Sequence, residues 1–357
     1  MQISRRLMVQ STAAAAVVVP GRWQERVSEG KTTPKICLDL ALYSEVTDGA
    51  MRRLKQLGVN HVHSGGPKMP WTEDVLRRWM DRLKEGGLTL GNLMIGVFDQ
   101  AQFSPSRRDA EIEKVIKSVR AAGKVGLPVV EYNCYSHRIV EGYYEEKGRA
   151  GAGLTAFDYD RVKNLPPLTG IHNAEEMWGN LEYFVKAVIP VAVESGVRMA
   201  LHPNDPPSPL ARGSAQVMGT LAGWKRLISI VDSPANGMTF DCGVTKEMGE
   251  DPVAVCRYLG SRDRINHVHF RNVKVRKPYE QYTEVFLDEG EVDMFGVMKE
   301  LVRQKYPRLI YPEHPRGLDY DRERADFKTS YPGGGGYAAL SYNVGYARAM
   351  LQAALGQ

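Results

Sequence analysis

Cysteine is scarce in this chain: four of the 357 residues are cysteines, and no two of them form a CxxC pair. This pattern argues against a zinc knuckle or a dithiol redox motif. The chain also has no GxGxxG segment after its first strand-like run, which disfavours a doubly wound dinucleotide-binding fold. It has no basic run with interleaved aromatic residues, and a net charge of +5 is small for this length. The composition therefore gives no indication of nucleic-acid binding.

Long hydrophobic runs are also missing. The Ala- and Val-rich stretch at residues 11–19 is too short for a permanent membrane anchor. It follows the basic pair Arg5-Arg6, and a basic start before a short apolar segment is typical of a signal peptide. Adjacent arginines favour the twin-arginine type. We therefore expect residues 1–30 to be a leader for export to the periplasm; a frayed extension of a cytoplasmic protein is the alternative.

Beyond this leader, strand-like and helix-like segments alternate, and no interdomain linker or internal repeat interrupts them. Eight strand–helix units at this length predict a single (β/α)₈ barrel, a TIM barrel, over residues 31–357. Most predicted strands are near-continuous apolar runs, as buried parallel strands require; they lie at residues 36–42, 59–64, 88–97, 127–135, 197–202, 237–242, 265–270 and 308–312. An open, doubly wound sheet is the alternative fold.

A polar segment rich in Gly, Tyr and charged residues follows the fourth predicted strand, at about residues 136–172. A loop of that length inside a compact domain is usually a lid or a binding loop. We interpret it as an insertion that serves a functional site; a decorative excursion is the other interpretation.

Four ligand-type side chains stand where predicted strands end and Pro- or Gly-rich loops begin: His202, Asp241, His269 and Glu313. In a parallel α/β barrel the carboxyl ends of the strands meet at one rim, so these four side chains are expected to converge. Two imidazoles and two carboxylates suit a divalent transition metal that keeps open coordination positions. The pattern therefore predicts a metal-dependent enzyme.

Two of these strand ends leave a choice of residue. Asp241 and Cys242 are neighbours and point to opposite sides of a strand, and alternation does not say which one faces the barrel axis. Asp241 matches the other carboxylate and is preferred, whereas Cys242 would favour a softer metal. His267 and His269 share one strand face. His269 is nearer the rim, and His267 is interpreted as a hydrogen-bonded core histidine.

Further polar residues near the strand ends are candidates for catalysis. His314 follows Glu313, and an imidazole titrates near neutrality, so it is a candidate general acid or base. Tyr337 follows a run of glycines, and a mobile glycine-rich loop that carries a phenol resembles a lid with a proton-transfer group. Arg271 and Arg316 are candidate clamps for a substrate carboxylate.

Several motifs resemble the signatures of one enzyme family. In chain order they are WGNL (178–181), HPNDPP (202–207), TFDCG (239–243), HVHFRN (267–272), EGEVDM (289–294), PEHPRG (312–317) and the late Gly-Tyr segment. They are similar to the HPDDPP, TFCxG, HxRN, GxVDM, PDHG and PGY motifs of the mannonate dehydratases. The likeness covers the second half of the chain well, and Tyr132-Asn133 adds to it in the first half.

The resemblance implies a xylose-isomerase-like TIM barrel that dehydrates D-mannonate to 2-keto-3-deoxy-D-gluconate with Mn²⁺ or Fe²⁺. The family's metal ligands are His, Cys, His and Asp, and the matching positions here are His202, the TFDCG region, His269 and Glu313. A base removes the proton alpha to the carboxylate and an acid protonates the leaving hydroxyl; His314 and Tyr337 are the candidates, without an assignment of which does which. The expected partner is a small sugar acid. Whether the chain forms a homo-oligomer is left open. The expected substrate-binding residues are Arg316, Asn204, Asp205 and Asn133.

Three departures from the family pattern bear on the substrate. Aligned without a gap on Thr239-Phe240, the family's cysteine falls on Asp241, and PEH replaces PDH. The family's tryptophan-containing motif after the fourth strand is replaced by the residues 135–138, YSHR. An Asp/Glu ligand pair resembles the wider sugar isomerases and epimerases. A metal-dependent isomerase or epimerase acting on a neutral keto sugar is therefore the alternative enzyme, and a periplasmic sugar-binding protein is the non-enzymatic alternative.

Overall fold

The structure, a computed structural model, describes residues 30–40, 46–95, 105–134, 137–168 and 170–356. Its centre is a barrel of eight parallel strands: β1 (Lys35–Asp39), β2 (His61–Gly65), β3 (Thr89–Met94), β4 (Val129–Asn133), β5 (Arg198–His202), β6 (Asn236–Asp241), β7 (Ile265–His269) and β8 (Leu309–Tyr311). Each strand pairs with the next along the chain, and β8 pairs with β1 to close the barrel. The predicted TIM barrel is therefore confirmed. The predicted leader lies outside the described residues.

The strands alternate with eight helices: α1 (Asp48–Gln56), α2 (Glu73–Glu85), α3 (Pro105–Val125), α4 (Ala174–Ser195), α5 (Leu221–Ile230), α6 (Pro252–Gly260), α7 (Met294–Arg303) and α8 (Tyr337–Leu355). Helix α4 shows why the sequence predicts them. The Asn173 side chain accepts a hydrogen bond from the Glu176 amide at its start, and Gly196 ends it at φ 67°. Leu181 and Val188 lie on its buried face.

A four-stranded antiparallel sheet, here called the cap sheet, is added to the barrel. Its strands, in spatial order, are Asn272–Lys277, Gln281–Val285, Gly153–Asp158 and Tyr143–Lys147. Half of it comes from the segment 136–172, so the interpretation of that segment as a loop is wrong over these two strands. Phe157 and Tyr282 are buried and stack with ring centroids 5.4 Å apart. This apolar contact explains why the two distant segments fold together.

Short elements complete the described residues. They are the two-stranded pair Leu210–Ala211 and Ser214–Ala215, the helices Cys242–Glu247 and Asp319–Arg322, and the 3₁₀ turns Val140–Gly142, Arg149–Gly151 and Tyr159–Arg161. Across the part of the chain that the structure describes, every helix falls short of the length and apolarity that a membrane crossing needs.

The strand register sets the height of the side chains at the rim. Asn133 on β4 pairs with His202 on β5, and Asp241 on β6 pairs with His269 on β7. Asn133 and His202 therefore lie side by side at the carboxyl ends of β4 and β5, and Asp241 and His269 lie side by side at those of β6 and β7.

Candidate metal centre and active site

The four predicted metal ligands converge at this rim. The Nε2 atom of His202 lies 3.2 Å from Nδ1 of His269. That Nδ1 lies 3.1 Å from Oε2 of Glu313 and 3.9 Å from Oδ2 of Asp241. Asp241, His269 and Glu313 each offer an atom within 4.8 Å of the other two, and His202 forms a second such group with His269 and Glu131. Two imidazole nitrogens and two carboxylate oxygens fit a divalent transition metal such as Mn²⁺ or Fe²⁺.

Local hydrogen bonds orient two of these ligands. Nδ1 of His202 lies 2.8 Å from the Pro203 carbonyl oxygen, which can only accept, so Nδ1 carries the proton and Nε2 offers its lone pair. Asp241 accepts a hydrogen bond from the Val244 amide through Oδ1 at 2.8 Å and thereby caps the short helix that follows β6. Its Oδ2 atom faces His269 and also accepts a hydrogen bond from Nε of Arg271.

The two ligand histidines differ in charge. Burial and the neighbouring His269 lower the pKa of His202 to about 4, so this ring is neutral and can coordinate a metal. Burial alone would lower the pKa of His269, but the carboxylates of Glu313 and Glu131 raise it to about 9. A cation bound at Nδ1 of His269 must therefore displace a proton at neutral pH.

Asp241, rather than the alternative Cys242, faces the centre. The Cys242 thiol donates to the backbone carbonyls of His269, at 3.2 Å, and Arg271, at 3.5 Å. It is fully buried, and burial raises its pKa far above the ordinary range, so it is protonated. The Asp241 carboxylate therefore faces the predicted metal centre, and the Cys242 thiol does not.

Arg271 contacts the predicted metal ligands Asp241 and Glu313, and its role as a substrate clamp stays a prediction. Its Nε atom lies 3.1 Å from Oδ2 of Asp241 and 3.2 Å from Oε1 of Glu313, and its Nη1 donates to Glu247 at 2.6 Å. It is 2% exposed. Because its donors face protein carboxylates, Arg271 positions two ligands and balances their charge.

An open cavity of 690 Å³ lies over the centre, within the range typical of small-molecule sites. His202, His269 and Glu313 border it, so the centre is accessible to a ligand. The other predicted residues that line it are Asn133, Asp205, His314, Arg316 and Tyr337. Asn204 does not: it is fully buried, donates to the Cys134 carbonyl and accepts from the Met218 amide. Both ends of its amide hold the loop together, and its role in substrate binding stays a prediction.

His314 is held beside the centre by a residue that the sequence did not indicate. Nδ1 of His314 lies 2.8 Å from Oε2 of Glu284, on the cap sheet, and Nε2 lies 3.5 Å from Oε2 of Glu313. Burial alone would raise the pKa of Glu284, but His314 and Arg316 lower it to about 2. The ionised Glu284 accepts the Nδ1 proton, so Nε2 of His314 is turned toward the ligands and the cavity.

A second group missed by the sequence is the pair Tyr331 and Arg138. The Tyr331 ring lies 4.9 Å from the His314 ring, and Arg138 donates to its hydroxyl at 2.5 Å. Arg138 also donates to the Asp205 carboxylate at 3.1 Å. The expected phenol, Tyr337, borders the same cavity, but its hydroxyl donates to a carbonyl outside it, that of Arg53.

Two more predicted residues have protein partners. Arg316 lines the cavity and donates to Oε2 of Glu284 at 2.9 Å. Asp205 accepts from Tyr143 and Tyr282 of the cap sheet as well as from Arg138. Asp205 therefore ties the cap sheet to the rim.

Comparisons with known proteins agree with this geometry. The model of the D-mannonate dehydratase family matches residues 160–354. The mannonate dehydratase of Streptococcus pneumoniae (strain 70585) is 30% identical over 286 residues, which cover 71% of this chain and 77% of that protein. The enzyme of Thermotoga maritima is 28% identical over 295 residues, covering 72% and 81%.

The solved structures give the same result. The crystal structure of mannonate dehydratase from Streptococcus suis serotype 2 superposes with a TM-score of 0.81 at 26% identity, covering 91% of this chain and 94% of that one. A xylose isomerase domain protein from Planctomyces limnophilus has a TM-score of 0.57 at 11% identity, covering 92% and 100%, and shows likeness of fold alone. This chain belongs to the D-mannonate dehydratase family.

Proposed function

We propose that this protein is a metal-dependent hydro-lyase that removes water from a sugar acid, with D-mannonate as the first substrate to test and a 2-keto-3-deoxy acid as the product. The observation that carries the proposal is that three of the predicted metal ligands, His202, His269 and Glu313, border one open cavity together with His314. The family relatives that bear the name mannonate dehydratase support the choice of substrate.

The ion that we propose is Mn²⁺ or Fe²⁺, held by His202, Asp241, His269 and Glu313. When bound, it supplies Lewis-acid stabilisation of the negative charge that develops on the substrate. The carboxylate-rich donor set supports a hard or borderline dication over a thiophilic one.

Two groups beside the ligands suit the two proton transfers of a dehydration. The ionised Glu284 fixes His314 with its Nε2 facing the cavity, which suits a base that removes the proton alpha to the carboxylate. Burial raises the pKa of Tyr331, although Arg138 partly offsets this, so the phenol is protonated and can donate to the leaving β-hydroxyl. Tyr337 stays a candidate only if its hydroxyl leaves the Arg53 carbonyl.

Arg138 is the proposed anchor for the substrate carboxylate. Its side chain is 26% exposed and lines the cavity, whereas the side chains of Arg271 and Arg316 are each 2% exposed. A guanidinium can bind a carboxylate through two parallel N–H groups. Arg316 would support the anchor through Glu284.

An isomerase or epimerase acting on a neutral keto sugar is the second candidate. The carboxylates Asp241 and Glu313, in place of the family's Cys and Asp, favour it, as does the shared fold. Such a reaction would use the same centre but would need no carboxylate anchor.

One assay separates the two candidates. Protein reloaded with Mn²⁺ or Fe²⁺ is incubated with a panel of hexonates and, separately, with ketoses. We expect a 2-keto-3-deoxy acid to form from an aldonate, with a raised KM in Arg138→Lys and an unchanged KM in the matched surface variant Arg276→Lys. Ketose interconversion without keto-acid formation would show that the second candidate is right.

We also propose that residues 1–30 direct export through the twin-arginine route. A fusion of this segment to a reporter protein should reach the periplasm, and Arg5→Lys with Arg6→Lys should abolish export. Unchanged export of the doubly substituted fusion would contradict the proposal.

A further inference from the structure

Below the rim lies a second group of ligand-type side chains, here called the inner cluster: His63, Glu131 and His267. They come from β2, β4 and β7. Glu131 and His267 each stand two residues before a rim residue, Asn133 and His269. Side chains two apart on a strand share a face. Glu131 and His267 therefore lie one layer deeper in the barrel than the rim centre, and His63 borders the cavity.

The imidazoles of the inner cluster have unused nitrogen atoms. His267 is fully buried, and among the described residues neither of its ring nitrogens has a hydrogen-bond partner. His63 is 9% exposed, and its Nε2 likewise has no partner in the described ranges. The two ring centroids are 5.4 Å apart. Buried polar atoms normally have partners, so three such nitrogens in one place point to a bound group.

Glu131 supplies the negative charge of the inner cluster and is fixed in position. Thr239 donates to its Oε1 at 2.8 Å and Asn92 donates to its Oε2 at 2.8 Å. Both donors are neutral, and the cationic neighbour, His269, has its Nε2 3.6 Å from Oε1. Each carboxylate oxygen accepts one of these hydrogen bonds and has a further lone pair for a cation.

We propose that His63, Glu131 and His267 form an inner site for a second divalent cation. One ligand atom from each residue lies within 4.8 Å of the others, so displacements of less than about 1 Å bring all three to bonds of about 2.0–2.2 Å. Two neutral imidazoles and one carboxylate favour a borderline transition metal such as Zn²⁺ or Mn²⁺ over Mg²⁺ or Ca²⁺. Glu131 would then link the two centres, since it also faces the outer ligand His269.

The competing explanation is that Glu131 only orients His269 while water fills the space beside the two inner imidazoles. That arrangement predicts one cation for each chain. The inner site predicts two, whatever reaction the protein catalyses, because metal content is independent of substrate.

The test is a metal count on the whole protein. Metal-free protein is reloaded with Zn²⁺ alone or with Mn²⁺ alone, desalted and analysed by inductively coupled plasma mass spectrometry. We expect two equivalents in the natural protein, one in His267→Gln and one in His63→Gln. We expect two in the control His172→Gln, whose ring binds Glu176 outside the barrel. One equivalent in the natural protein, or two in His267→Gln, would overturn the proposal.

An anomalous difference map from metal-soaked crystals of the natural protein covers the case in which the variants fail to fold. We expect a second peak between the rings of His63 and His267. A map with a peak at the rim alone, or with its second peak elsewhere, would overturn the proposal.

Discussion

The barrel strands and the cap sheet with its neighbouring loops contribute different parts of the site. Strand ends provide predicted metal ligands such as His202, Asp241 and His269, which lie at the carboxyl ends of paired strands. The cap sheet and loops provide Glu284, which holds His314, and the Arg138–Tyr331 pair. In the function that we propose, the barrel holds the cation, while the added segments serve proton transfer and substrate binding. Substitutions in the two regions should therefore impair different properties: metal binding in the barrel, and proton transfer or substrate binding in the added segments.

The largest effect should come from a ligand at the strand ends. His269→Ala removes the nitrogen nearest to the other three ligand atoms, so we expect loss of bound Mn²⁺ and of all activity above background. Metal analysis and a dehydration assay check this, with His172→Ala as the control. Full activity in His269→Ala would refute a metal role for this strand end.

A substitution beside the strand ends should separate chemistry from metal binding. In His314→Asn we expect kcat to fall by about 10²–10⁴-fold, the usual contribution of a general acid or base. Bound Mn²⁺ should stay at the level of the natural protein. If the variant loses its metal as well, His314 belongs with the ligands and the division between the two regions fails.

The two candidate phenols can be compared directly. We expect Tyr331→Phe to lower kcat by about 10²-fold, since its ring lies beside His314. Tyr337→Phe should change kcat by less than about twofold, because its hydroxyl donates to the Arg53 carbonyl. The reverse ranking would show that the loop closes with Tyr337 over the centre, as the sequence predicts.

The affinity for the cation should depend on pH through His269, whose pKa is raised to about 9. Below that value one proton must leave Nδ1, so affinity for Mn²⁺ should rise about tenfold for each pH unit from 7 to 9. In the metal-free protein the same proton stabilises the fold fully below pH about 6.5, and the effect is lost as pH rises through 9. Calorimetric titration with Mn²⁺ at several pH values checks the slope. A pH-independent affinity would mean that Nδ1 carries no proton.

The barrel could be predicted from sequence because its signals are local. Apolar strands, capped helices such as α4 and polar residues at strand ends all appear within short windows, and the rim register then follows from parallel pairing. Asp241 and Cys242 could not be separated in this way, because alternation shows opposite faces without showing which face is inward.

The cap sheet could not be predicted because its pairing is long-range. The strand Gly153–Asp158 pairs with Gln281–Val285 in an antiparallel register, more than a hundred residues away. No local sequence feature distinguishes Glu284, on that strand, from a glutamate on the protein surface. Arg138 and Tyr331 belong to loops that are far apart in the sequence, and only the fold brings them together. Tyr331 is separated from the glycine run only by Pro332, so its position was the one available signal.

The most direct test of the central claim is a crystal structure of Mn²⁺-loaded protein with anomalous data. We predict an anomalous peak at the rim, about 2.0–2.3 Å from Nε2 of His202, Nδ1 of His269 and one carboxylate oxygen each of Asp241 and Glu313. A rim without a peak, or a peak that two or more of these side chains turn away from, would contradict the claim that the strand ends share one cation.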